Sequence, residues 1–65
     1  MSAKFVVRKF YKNGNSEYFQ AEGDGEYYFS QNIFLSWCFD TYEEAENKIN
    51  SLKGLFQIEK VFFKD

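Results

Sequence analysis

Strand-like patterning opens the chain. Residues 4–12 are rich in Phe, Val and Tyr, which suit a pleated, half-buried surface. Period-two alternation sets Arg8, Phe10 and Lys12 on one face and Lys9 and Tyr11 on the other. The run stops at Asn13-Gly14, a strong hairpin signal because both residue types accept positive φ. Residues 17–22 read as a second strand, with Tyr18 and Gln20 on one face and Phe19 and Ala21 on the other. Gly23-Asp24-Gly25 marks a second turn, and residues 26–30 form a third strand.

The period changes after residue 40. Thr41 followed three places later by Glu44 is a capping-box pattern, and Glu43, Glu44 and Glu46 occupy the first turns, where the helix dipole favours negative charge. Tyr42, Ala45, Ile49 and Leu52 recur at helical spacing as one narrow apolar stripe. Glu44 and Lys48 are spaced for an i,i+4 pair, Lys53 lies at the far end, and Gly54 stands where a left-handed C′ residue is expected. Residues 55–63 make the last strand, with Phe56 and Ile58 on one face and Val61 and Phe63 on the other. A bulge near Lys60 would bring all four to one side; otherwise both faces are partly covered.

Between third strand and helix, Ile33, Phe34, Trp37 and Cys38 have helical spacing. The segment reads as a turn of helix or an irregular crossover that ends in a brief extended piece at 38–39. The architecture expected is α+β, in the order β-β-β-α-β: a small antiparallel or mixed sheet with one helix on one face, in a single domain of residues 1–65. The first strand is expected centrally, beside the last, which gathers the lysines of both ends.

Composition sharpens this picture. Fifteen of the 65 residues are Phe, Tyr or Trp. A domain this small has a high surface-to-volume ratio and ordinarily needs a staple. Cys38 is the single cysteine and there is no histidine, so neither an internal disulfide nor a zinc-type site is available. Dense aromatic burial or association must supply the stability instead, and a homodimer is one form of association. Between Trp37 and Phe39, Cys38 is expected to be a buried, inert thiol, lying with Phe29 and Phe39 under the helix. Tyr27, Tyr28, Phe34 and Trp37 are then the candidates for a contact surface, being residue types that dominate interface energetics.

Charge is laid out unevenly. Residues 1–12 carry Lys4, Arg8, Lys9 and Lys12 with no acid, residues 13–47 carry eight acids with no base, and Lys48, Lys53, Lys60 and Lys64 return after that. Such polarity steers association. No apolar run approaches a membrane span and no signal-peptide core is evident, so the expected setting is the cytoplasm, with no membrane partner.

Catalytic chemistry finds little footing. The commonest general base is missing, Cys38 lacks a histidine to activate it, and the helix-start glutamates belong where they are for dipole reasons. Gly-Asp-Gly lacks the length and lysine of a phosphate loop. No enzyme activity, catalytic residue, cofactor or metal is expected. The alternative to protein binding is a single-stranded nucleic-acid binder that displays aromatics among basic residues, with Arg8 and Tyr11 on the first strand as further contact candidates. A net charge of −2 weighs against the phosphate term that such binding needs.

Around the helix start, Phe39, Asp40, Thr41, Glu43, Glu44, Ala45 and Ile49, together with Ile58, Val61 and Phe62, resemble a pattern of small phage-encoded strand-strand-helix-strand proteins. The likeness covers the C-terminal half specifically and the N-terminal hairpin in outline. It implies a non-catalytic inhibitor or adaptor that binds a host protein in the host cytoplasm, and it carries over no site residue.

Overall fold

Two hairpins built on different turns begin the structure, a computed structural model that describes residues 2–63. β1 (Ser2–Phe10) and β2 (Ser16–Gly23) are joined by a loop in which Gly14 takes φ 91° and donates to the Tyr11 carbonyl. The tighter turn is the second. Gly23 pairs with Glu26, and Asp24 and Gly25 take φ 53° and 78°, the two-residue connection whose twist matches that of the strands. It leads into β3 (Glu26–Ser30); a 3₁₀ turn at Ile33–Leu35, α1 (Tyr42–Asn50) and β4 (Leu55–Phe63) follow. The four strands form one antiparallel sheet in the order β3-β2-β1-β4 with one helix packed on it, the expected α+β architecture with β1 beside the last strand.

β1 and β2 stay paired only from Arg8↔Tyr18 to Phe10↔Ser16, and beyond that they part. Residues 37–39 fill the opening. Trp37 N–H donates to the Phe19 carbonyl at 2.8 Å, and Phe5 and Phe39 exchange both backbone hydrogen bonds at 2.9 and 2.7 Å. A three-residue extended wedge thus satisfies backbone groups that the splayed strands would leave bare. The expected extended piece is present, and its alternation corrects one expectation. Trp37 and Phe39 stack towards the helix side, and Cys38 points the other way and is exposed, not buried.

The core lies between sheet and helix. Val7, Phe19, Phe39 and Ala45 are buried, and Phe5, Phe29, Ile49, Leu52, Phe56 and Ile58 pack against them. Phe19 is its centre, with the rings of Phe29 and Trp37 at 5.9 Å and those of Tyr27 and Phe39 at 6.3 Å. Phe39 and Phe29 therefore sit on the helix side as expected. A β-bulge at Gln20 reverses the pleat of β2, so Ala21 pairs with Tyr28 on the face opposite Phe19 and does not share its face.

Thr41 caps α1, its hydroxyl accepting from Glu44 N–H at 3.1 Å. A helix of nine residues is marginal alone and depends on the packing of Ala45 and Ile49. It is shorter than the pattern suggests. Ser51 is the C-cap, so Gly54 is not the C′ residue; with φ 133° it turns the chain into β4, where a Cβ would meet Lys9 Cε at 3.2 Å. Lys48 does not pair with Glu44. It reaches across to Glu22 on β2 at 2.5 Å, with its ammonium over the Phe19 ring, which ties helix to sheet.

β4 pairs with β1 over nine consecutive residues with no register shift. There is no bulge at Lys60, so both faces of β4 are partly covered. Val6, fully buried but on the face away from the helix, lies in the same cross-strand row as Cys38 and Glu59. Val6 thus marks a second, smaller buried layer on that face.

Candidate functional site

The six sequence candidates do not converge on one patch. Phe34, on the 3₁₀ turn, is 91% exposed and is the barest large apolar side chain among the described residues. Tyr27, Tyr28 and Trp37 are half exposed, but they face different ways. Tyr27 and Trp37 lean on Phe19 on the helix side, and Tyr28 lies on the opposite face with its hydroxyl donating to Glu26 at 3.2 Å. Trp37 therefore does double duty, closing the core with one side of its indole and presenting the other to solvent.

Arg8 and Tyr11 are engaged internally. The Arg8 guanidinium donates to Glu59 Oε2 and to Ser16 Oγ, both at 2.9 Å, and lies over the Phe10 and Tyr18 rings. Its hydrogen bond to Glu59 raises its pKa above the ordinary value. Tyr11 donates to Glu17 Oε1 at 2.6 Å, and that bond pushes its pKa up to about 12. The fold thus favours the neutral phenol. Any stability this bond adds is fully present below the ordinary value of 10.0 and is lost as pH rises through about 12. Ultraviolet titration should show a tyrosine that ionises near pH 12; if Glu17→Gln leaves that late step in place, the hydrogen bond is not its cause.

A better-formed feature lies at one end of the sheet. Ile33, Phe34, Ser36 and Cys38 on one side and Val61, Phe62 and Phe63 on the other line an open apolar cleft of about 380 Å³. Asn32 shapes its wall, accepting Phe34 N–H on its side chain at 3.0 Å, and Ser36 Oγ donates to the Ile33 carbonyl at 2.6 Å. Among these seven, only Phe34 was legible as a site candidate. The tandem Phe62-Phe63 was the available signal, because adjacent rings on a strand must face opposite ways and one of them must lie off the helix side.

The cleft adjoins an unpaired strand edge. Phe5 directs both backbone groups at Phe39, so its opposite number on β4, Lys60, belongs to a non-hydrogen-bonded pair of the β1–β4 ladder. Lys60 and the residues two and four places from it, Phe56, Ile58 and Phe62, therefore aim N–H and C=O outwards. Along nine residues this edge has no proline and no bulge, devices that ordinarily blunt such an edge.

Among the described residues no group of three or more His, Cys, Asp or Glu side chains could hold a metal ion. Among the described residues no helix is long and apolar enough to cross a membrane. The fold class is thus a small α+β domain with an aromatic cleft beside an open sheet edge. No protein-family model, curated protein or solved structure matches the chain.

Proposed function

We propose that this chain is a non-catalytic protein-binding module, a small inhibitor or adaptor of the phage type, that takes an extended segment of a protein along the outer edge of β4. The observation that carries the reading is the junction of cleft and edge: outward backbone groups at Phe56, Ile58, Lys60 and Phe62 end at a cleft rimmed by Phe34. Strand addition draws affinity from main-chain hydrogen bonds and specificity from a pocket for a side chain, and both parts are side by side here. A host protein is the partner class that fits the resemblance to phage proteins.

The nucleic-acid alternative has less support. On the face away from the helix Lys4 is bonded to Asp40 and Arg8 to Glu59, so these two cations face carboxylates already. That lowers the positive potential a phosphate backbone would meet.

Capture from a bacterial host lysate tests the reading when wild type, Phe34→Ser and Tyr28→Ala are run in parallel. A protein held by wild type and Tyr28→Ala should be lost with Phe34→Ser, on the order of 30-fold for a residue worth about 2 kcal/mol at an interface. Equal recovery with all three variants, or oligonucleotide binding that falls steeply with salt, overturns it.

A further inference from the structure

We propose that the outer edge of β4 pairs with the same edge of a second copy, antiparallel, across a two-fold axis perpendicular to the sheet at Glu59. The inference rests on the edge reading above: a second copy covers the edge, and a partner segment must displace it to bind there.

Backbone geometry makes the pairing complete. A two-fold axis perpendicular to the sheet brings together residues of the same parity and keeps the two helices on one face. Phe56, Ile58, Lys60 and Phe62, which aim their N–H and C=O outwards, then meet one another and not inward-bonded residues. Centred on Glu59, the register places Phe56 opposite Phe62, Ile58 opposite Lys60, Gln57 opposite Val61, and Leu55 opposite Phe63. All nine residues of β4 are paired. Shifting the axis to Ile58 sets Phe62 and Phe63 against Gly54 and Lys53, beyond the strand, and shifting it to Lys60 sets that lysine against itself.

The side chains agree with this register. Leu55, Phe62 and Phe63 are 72%, 64% and 42% exposed, and all three gain an apolar neighbour across the axis. An aromatic side chain buries roughly 150–250 Å², so the exposed parts of Phe62 and Phe63 leave about one ring's worth of surface per copy to cover. Leu55 of the second copy also arrives beside Phe63, at the mouth of the cleft. The one unfavourable pair is Glu59 against Glu59, and each carboxylate is already held by its own Arg8 at 2.9 Å. An interface this small belongs to the weak, concentration-dependent class. It would nonetheless supply a staple to a chain that has neither disulfide nor metal.

Sedimentation equilibrium from micromolar to millimolar chain should show mass doubling. Lys60→Pro removes an outward N–H without touching the β1 ladder, and should weaken association at least 10-fold at unchanged circular dichroism. Register is read separately, so a variant that fails to fold does not end the test. In a Cys38→Ser background, Gln57→Cys and Val61→Cys chains mixed in glutathione buffer should cross-link as a heterodimer, and neither alone should do so. A non-hydrogen-bonded pair brings Cα atoms to about 4.5 Å, within disulfide reach. Monomer mass up to millimolar, a dimer indifferent to Lys60→Pro, or equal cross-linking of either chain alone overturns the proposal. A strict monomer that still captures a Phe34-dependent protein would overturn this pairing and leave the binding-module reading standing.

Discussion

Phe19→Ala is expected to remove a large share of the protein's stability. The Phe19 ring has no exposed surface and is ringed by Tyr27, Phe29, Trp37 and Phe39, with the Lys48 ammonium 5.7 Å from its centroid. Truncating a buried Phe to Ala costs about 3–5 kcal/mol, part lost transfer energy and part cavity. Native domains hold roughly 0.05–0.15 kcal/mol per residue, so a chain this short has only about 3–10 kcal/mol in total. The gap is hard to close by collapse, because Phe19 also offers its carbonyl to Trp37 and so fixes the wedge between β1 and β2. Urea denaturation followed by far-ultraviolet circular dichroism measures the loss; a cost under about 1 kcal/mol would mean that this ring is not the centre of the core.

Val6→Asp probes the other face, and its effect should depend on pH. Val6 is fully buried, with Glu59 opposite it on β4, and Lys4 and Arg8 two places away on the same face. Both cations are already committed, to Asp40 and to Glu59, so the new carboxyl finds no free partner among them. Leaving a buried charge uncompensated costs about 3–5 kcal/mol. Burial and the neighbouring Glu59 raise its pKa in the folded state above the unfolded value of about 3.9. The folded protein then holds the proton more tightly than the unfolded chain, so stability falls as pH rises from about 4. Comparison with Val6→Asn, which cannot ionise, isolates the charge. If the two variants keep the same difference at pH 4 and pH 7, Val6 is not in a dry layer.

Local patterning made most elements readable, and long-range pairing hid the rest. β3 and β4 fall where their alternation and flanking glycines place them, and Thr41 starts the helix because its cap is a contact between neighbours in sequence. The helix end was less legible. Gly54 is left-handed to enter β4, and that role is indistinguishable by residue type from a C′ glycine. Cys38 was misplaced because its fate depends on which strands residues 37–39 enter, and nothing local says that β1 and β2 part. The contact candidates divided for a related reason. Exposure of Phe34, Tyr27, Tyr28 and Trp37 follows from there being more rings than one small core can hold, whereas the cleft exists only because the 33–38 segment comes to lie beside residues 61–63.

The position of β1 has a consequence for biosynthesis. Its two neighbours in the sheet are β2, made next, and β4, made only after β2, β3 and α1. Until residues 55–63 emerge, β1 has one flank unpaired, and Val7 lacks Phe56 and Ile58 beside it in the core. The nascent chain therefore cannot complete its sheet strand by strand. It closes only once residues 55–63 reach β1, and the interval before that is when chaperone contact or premature pairing with another chain would be most consequential.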